Sequence, residues 1–340
     1  MRAGRATEEN EKTDDLAAIL AVSFDGHFKE QWRTVGNLGA LPLSLTMVRH
    51  PLGSCIVPAS GPLPPFDPTW LDALLRRLLE EDVGSGDATT AACIDPAAVG
   101  SGLVITREAA TCAGVTVAAR CFELVDPRLV AEPVAADGAA VAPGAPLLRI
   151  TGPVAPILTA ERLALNLFQR LCGIATLTAR FVAATGGGAA ICDTRKTTPG
   201  LRLLEKYAVR CGGGTSHRFG LFDGVLIKDN HIKACGSVAE AVARARRQAG
   251  AEVAVEVEVE RLEEIDEALA AGADALLLDN MAPETLRRAV EQIGGRCPTE
   301  ASGGIDLETV AAVAAAGVDF VSVGALTHSP RAVDLTLELE

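Results

Sequence analysis

From residue 189 onward the chain repeats one unit: a short apolar run, a polar or glycine-rich turn, then a stretch whose apolar residues recur at helical spacing. The runs are 189–192, 224–227, 253–259, 275–278, 299–302 and 320–323, and the last four turns, at Glu258, Asp279, Gly303 and Gly324, lie 21, 24 and 21 residues apart. Such an interval holds one strand and one returning helix, the unit that joins neighbouring parallel strands. The pattern predicts an α/β fold, and its regularity favours a closed barrel over an open sheet. Polar residues then collect at the carboxyl ends of the strands, where barrel enzymes carry their sites.

Upstream the pattern is different. Trp70, Leu71, Leu74, Leu75, Leu78 and Leu79 predict a helix that starts near Phe66 and breaks at Gly84, Gly86 and Asp87. Between 101 and 150, short apolar runs (103–105 and 147–150) flank a helical stretch at 115–124, which reads as a small α+β domain. A long helical region, 153–184, carries Leu163, Leu167, Leu171 and Ile174 on one stripe and is placed to bridge the two parts. Residues 1–65 show no sustained period and end in a Pro/Gly-rich run, so they read as a loosely ordered extension, and Met47 raises the expectation that the native chain starts there. The expected division is an extension at 1–65, an α+β domain at 66–160 and a catalytic barrel at 161–329, with the tail 330–340 packing on the small domain.

Charge narrows the function. The 340 residues carry a formal net charge of -13, which argues against a general nucleic-acid or membrane-surface role. Nine scattered cysteines, nowhere spaced as C-x-x-C, read as reduced thiols of a cytosolic protein with no zinc framework. The apolar stretch 16–24 is too short to span a bilayer and follows acidic residues, so neither a signal peptide nor an anchor is expected.

Against this background Arg195, Lys196, Arg202, Lys206, Arg210, Arg218, Lys228 and Lys233 face three acids between 195 and 233, a local charge of +5. Arg202, Lys206 and Arg210, at i, i+4 spacing, could equally form a solvated helix face. Arg195, Lys196 and Lys228 directly follow apolar runs, where a cation is costly unless an anion meets it. His217 and Arg218 follow three glycines and are read as anion contacts, the imidazole donating a hydrogen bond. Glu256, Glu258 and Glu260 alternate with valines and so share one face of a strand. Glu258 and Asp279, at successive strand ends, form the candidate pair for Mg²⁺ or sugar hydroxyls. Ser302-Gly303-Gly304 and Ser322-Val323-Gly324 end the last two runs, where backbone N–H groups could close on a phosphate.

The stretch 193–232, DTRKTTPGLR through KYAVRCGGGTSHRFGLFDGVLIKDNHI, closely resembles the quinolinate phosphoribosyltransferases, also called carboxylating nicotinate-nucleotide pyrophosphorylases. EDVGSGDATT at 81–90, ERLALNL at 161–167, VEVEVE at 255–260, LLLDN at 276–280, EASGGI at 300–305 and VSVGALTHS at 321–329 extend the likeness over about 66–340. The resemblance implies an incomplete, TIM-like barrel of the type II phosphoribosyltransferases. It implies a reaction of quinolinate with phosphoribosyl pyrophosphate that yields nicotinate mononucleotide, pyrophosphate and CO₂, with Mg²⁺, in de novo NAD synthesis. It assigns Thr194, Arg195, His217, Arg218 and Lys228 to the dicarboxylate, with Arg162 contributed across a homodimer interface. Lys196, with Lys228 and His217 nearby, falls to the pyrophosphate. Glu258 and Asp279 fall to the ribose and Mg²⁺, and Ser302, Gly303, Gly304, Ser322 and Gly324 to the 5-phosphate. Three other readings stay open at this point: a related phosphoribosyltransferase with another small anionic acceptor, a barrel lyase using Lys196 or Lys228 as a Schiff-base nucleophile, and a non-catalytic phosphate-binding barrel.

Overall fold

The computed structural model describes residues 66–249 and 253–340; the expectations for the N-terminal extension and for a start at Met47 lie outside them. Helix α1 (Pro68–Val83) begins where Asp67 accepts the Trp70 N–H at 2.8 Å and Pro68 sets the first turn; its buried residues are Leu71 and Leu75. Asp87, seen in the sequence only as part of a helix break, caps α2 (Ala88–Cys93) by accepting the Thr90 N–H at 2.9 Å.

The small domain is a four-stranded sheet built from β1 (Val99–Thr106), β3 (Val130–Pro133), β5 (Pro146–Pro153) and the C-terminal β12 (Leu335–Leu339), in the order β12-β1-β5-β3. A two-stranded ribbon of β2 (Ala110–Thr111) and β4 (Ala140–Val141) stands beside it. Helix α3 (Val115–Val125) packs on this domain with Val117, Cys121 and Phe122 fully buried. The tail pairs antiparallel with β1, from Gly102↔Leu339 to Thr106↔Leu335, which is the packing expected of residues 330–340.

Helix α4 (Val154–Ala184) runs 31 residues without a break, so the boundary drawn at 160–161 falls inside it. Its stripe of Leu163, Leu167, Leu171 and Ile174 is buried as its spacing predicts. Gly173 lies mid-helix, where glycine is unfavourable, because a Cβ there would run into the Arg331 carbonyl oxygen as the C-terminal segment crosses the helix. No helix among the described residues is long and apolar enough to cross a membrane.

Six parallel strands follow: β6 (Ala190–Cys192), β7 (Val225–Ile227), β8 (Val255–Val259), β9 (Ala275–Asp279), β10 (Thr299–Ser302) and β11 (Phe320–Ser322). Their order is β6-β11-β10-β9-β8-β7, chain order from β7 onward with the first strand joined to the last. Regular spacing alone favours closure; the structure has instead the incomplete, TIM-like barrel that the resemblance implies. Among the described residues no ladder joins β6 to β7; the segment between them adds a single parallel bridge, Thr215↔Cys192. Three-residue edge strands offer few ladder bonds, and a glycine-rich loop fills the gap instead of a seventh strand. Helices α5 (Arg202–Cys211), α6 (Asp229–Cys235), α7 (Val238–Ala249), α8 (Leu262–Ala270), α9 (Pro283–Ile293), α10 (Val310–Ala314) and α11 (Ala325–His328) connect the strands.

The two faces of the sheet differ. Val255, Val257, Val259, Leu276 and Leu278 belong to the large apolar core, whereas Leu226 and Leu277 form a separate pair. Glu256 and Glu300 alternate with the core residues of their own strands and are 0 % and 1 % exposed. The concave face is thus partly polar, and its buried acids need donors.

Candidate active site

Six strand ends converge, and backbone register sets the geometry of half of them. Ser302 pairs with Asp279, Glu258 with Leu277, and Ser322 with Cys192, so the residues that follow form one rim. Glu256 and Glu258 point inward and are buried, whereas Glu260, past the strand end, is exposed.

The acidic part of the rim is compact. Glu258 is buried and ion-paired with Lys228, the residue after β7. Asp279 Oδ2 accepts the Asn280 side-chain amide at 2.6 Å. Asn280, which the sequence reading passed over, takes a left-handed φ of 54° and donates its N–H to Ser302 O at 2.9 Å. Gly303 cannot be replaced without disturbing this corner, because a Cβ there would meet Asn280 Oδ1, and its own φ is +97°.

The cationic part is built on loops. After β6, Thr194 Oγ1 accepts the Lys196 N–H at 3.0 Å, and Lys196 O accepts Thr327 Oγ1 at 2.9 Å. A Cβ on Gly324 would stand 3.1 Å from Lys196 Cδ and 3.3 Å from His328 Cδ2, so the exposed Lys196 and His328 both lie against the turn after β11. Arg195 and Arg218 stand on two loops that the Arg202 side chain joins, through Arg195 O and Phe219 O. Burial of the Arg218 guanidinium, and next the charge of Arg195 beside it, lower its proton affinity from the usual arginine value. Arg218 Nη1 is anchored by Gly224 O at 3.1 Å. Two guanidinium groups held against their mutual repulsion are relieved when a dianion binds between them.

Two of the residues that could have formed a solvated face turn inward. Arg202 donates to Thr197 Oγ1 at 2.9 Å, to Phe219 O at 3.0 Å and to Arg195 O at 3.4 Å, tying the two cation-bearing loops together. Lys206 is buried, pairs with Asp193, and donates to His217 O at 3.1 Å. Arg170 on α4 joins Glu205 Oε1 at 2.8 Å, Thr198 Oγ1 at 2.8 Å and Thr327 O at 2.9 Å. Arg170, Asp193 and Glu205 were not among the predicted site residues. Their only sequence signal is charge within otherwise apolar surroundings, a weak one.

His217 and Ser322, both expected at the bound anions, lie buried behind the rim. The His217 imidazole is buried; Nδ1 accepts the Arg218 N–H at 2.7 Å, which leaves the ring proton on Nε2. Nε2 faces Glu256 Oε2 at 3.3 Å and Glu300 Oε1 at 3.6 Å. The ring therefore serves the two interior carboxylates and Arg218 instead of standing at the rim. Ser322 is likewise buried and donates its Oγ to Glu300 Oε1. Arg162 lies elsewhere on the chain, 59 % exposed, in a surface recess shared with Asp87, Leu158 and Thr159 and with none of the strand-end residues.

Sequence and structure comparisons identify the family. Residues 87–172 match the family model for the quinolinate phosphoribosyl transferase N-terminal domain, and 174–338 match that for the C-terminal domain. The carboxylating nicotinate-nucleotide pyrophosphorylase of Mycobacterium leprae is 46% identical over 273 residues, covering 78% of this chain and 95% of that protein. The crystal structure of NadC from Streptococcus pyogenes superposes with a TM-score of 0.79 at 43% identity, over 82% of this chain and 99% of that one. The nicotinate-nucleotide pyrophosphorylase from Francisella tularensis gives a TM-score of 0.77 at 39% identity, over 81% and 98%. With both domains matched and relatives covered nearly end to end, the chain belongs to the quinolinate phosphoribosyltransferase family.

Proposed function

We infer that this chain transfers the phosphoribosyl group of phosphoribosyl pyrophosphate to the ring nitrogen of quinolinate and releases CO₂, giving nicotinate mononucleotide and pyrophosphate for NAD synthesis. The observation that carries this reading is a rim on which Arg202 ties the loop of Arg195 to that of Arg218 and Phe219 while the parallel ladder sets Glu258 and Asp279 on adjacent strands, cations for a dianion together with a carboxylate pair. Arg195, Arg218 and Lys228 hold the two adjacent carboxylates of quinolinate through charge-assisted hydrogen bonds worth about 1.5 to 3 kcal/mol each. Thr194 steadies this loop through the Lys196 N–H, and His217 acts from behind by fixing the Arg218 backbone.

Lys196 and His328, both against the turn at Gly324, suit the pyrophosphate and phosphate oxygens. The turns Ser302-Gly303-Gly304 and Gly324 offer backbone N–H groups to the 5-phosphate. As the bond from C1 to pyrophosphate oxygen breaks, the quinolinate nitrogen lone pair forms the new bond to C1, and the negative Glu258 and Asp279 favour the oxocarbenium-like centre. The product is a pyridinium; the bond from C2 to its carboxylate then breaks, CO₂ departs, and the electron pair stays in the ring plane on C2, stabilised by the adjacent cationic nitrogen, until C2 takes a proton from water. The protein's main contribution is to position the reactants.

Glu258 and Asp279 present hard carboxylate oxygens on adjacent strands, a donor set that fits Mg²⁺. When bound, the ion would supply positive charge to the pyrophosphate oxygens. Exposed Arg162, remote from its own rim, suits a homodimer in which it reaches the partner's site. The free thiols of the described residues suit a reducing, cytosolic compartment.

The test is release of labelled CO₂ from quinolinate carrying the label in its 2-carboxylate. Release is expected only with phosphoribosyl pyrophosphate and Mg²⁺ together. No release with all components present, or release without the phosphoribosyl donor, would overturn the reading.

A further inference from the structure

The ion pair between Asp193 and Lys206 has side-chain exposures of 0 % and 4 %. Two charges taken so far out of water gain little net stability from each other unless further hydrogen bonds complete their shells. The bonds that complete them all go to one short segment. Asp193 Oδ1 accepts the His217 N–H at 3.1 Å, Asp193 Oδ2 accepts the Ser216 hydroxyl at 2.9 Å, and Lys206 Nζ donates to the His217 carbonyl at 3.1 Å. The pair thus grips residue 217 on both its N–H and C=O.

Each end of this grip leads to a rim cation. Asp193 directly follows β6, two residues before Arg195, and its N–H donates to Thr215 O at 3.2 Å while Thr215 N donates to Ile191 O at 2.7 Å. His217 passes the constraint to Arg218, whose N–H is held by the imidazole and whose guanidinium is held by Gly224 O. Among the described residues no strand fills the gap between β6 and β7, so this buried pair replaces the ladder that would otherwise fix the spacing.

We propose that Asp193 and Lys206 are positioning residues that set the separation of Arg195 from Arg218, and thereby the preference of the site for two adjacent carboxylates over one. The inference rests on the reading of the rim as a dicarboxylate site. Neither residue needs to touch substrate. Loss of the pair widens or slackens the spacing, which a monocarboxylate tolerates and a rigid aromatic dicarboxylate does not.

The experiment compares wild type with Asp193→Asn, Asp193→Asn/Lys206→Met and Ser216→Ala. Binding of phthalate (benzene-1,2-dicarboxylate) and benzoate is measured by calorimetry, and KM for quinolinate and for phosphoribosyl pyrophosphate by turnover. Asp193→Asn is expected to weaken phthalate binding and raise the quinolinate KM about tenfold, with benzoate binding and the other KM within about threefold, corresponding to roughly 1.4 kcal/mol of lost discrimination. The double variant removes both buried charges; its thermal midpoint is expected to recover while phthalate binding stays weak, which separates positioning from simple stability. Ser216→Ala leaves the ion pair intact and is expected to lose about threefold in phthalate affinity, so it decides the matter even if the other variants fail to fold. Wild-type affinity for phthalate in any folded variant that lacks Asp193, or in Ser216→Ala, overturns the proposal. If wild type binds neither phthalate nor quinolinate, the dicarboxylate reading of the rim falls instead.

Discussion

The cationic and acidic sides of the rim are built in opposite ways. Glu258, Asp279 and Ser302 lie at the ends of strands and inherit their positions from the parallel ladder, so backbone hydrogen bonds alone bring them together. Arg195, Lys196 and Arg218 lie on loops that flank the gap between β6 and β7, and side chains must hold them: Asp193, Lys206, Arg202 and Arg170. A site whose halves are supported differently should fail differently. The acidic half should be vulnerable mainly at the residues that meet substrate, and the cationic half also at residues well behind it.

The largest effect is expected at the rim itself. Arg195→Ala removes a guanidinium able to make two charge-assisted bonds, and quinolinate binding should fall by about a hundredfold or more. Unchanged affinity by calorimetry and unchanged turnover would remove Arg195 from the site. A smaller effect tests the comparison directly. Arg202→Ala frees the carbonyls of Arg195 and Phe219 and the Thr197 hydroxyl, and should raise the quinolinate KM about tenfold, equivalent to roughly 1.4 kcal/mol. The matched control behind the acidic rim, Leu277→Ala, should cost about 2 to 5 kcal/mol of stability by denaturant unfolding yet leave both KM values within about twofold. Equal kinetic effects from the two substitutions would show that both halves depend on remote support.

The smallest effect concerns pH. Burial lowers the proton affinity of His217 from the ordinary histidine value, with Glu300 working the other way. The unfolded chain therefore takes up this proton first, so the contribution of the neutral ring is fully present above about pH 6.5 and is lost as pH falls through the lower folded value. Thermal midpoints measured from pH 7.5 down to 5 should fall more steeply for wild type than for His217→Asn. Parallel curves would mean that the ring does not gain its proton on unfolding.

The same division explains what could be read from the sequence. Strand-end residues were legible because alternation and a regular interval determine both the face and the height at which a side chain emerges, as for Glu258, Asp279 and Ser302. The apolar runs of the small domain and helix α4 followed from periodicity as well. The supports of the cationic rim were not legible. Lys206 and Arg202 sit on α5 at a spacing that describes a solvated helix equally well, and their partners depend on the path of an irregular loop. Arg170 meets Glu205 across 35 positions of chain, which no local pattern encodes. The direction of the His217 ring was not legible, because it is set by Glu256 and Glu300, which come from two different strands. The open edge was legible only through the family resemblance, because the interval signals repetition but does not count how many strands complete a ring.

The return of β12 to β1 constrains how the molecule can be made. The bond from Ser101 Oγ to Glu340 Oε2 spans 239 positions, so β1 leaves the ribosome long before its outer neighbour exists. Throughout that interval an unpaired edge is open to other chains, and long-range closure of this kind is slow. The small domain therefore reaches its final form only after the whole catalytic domain has been synthesised, although almost all of its residues come first.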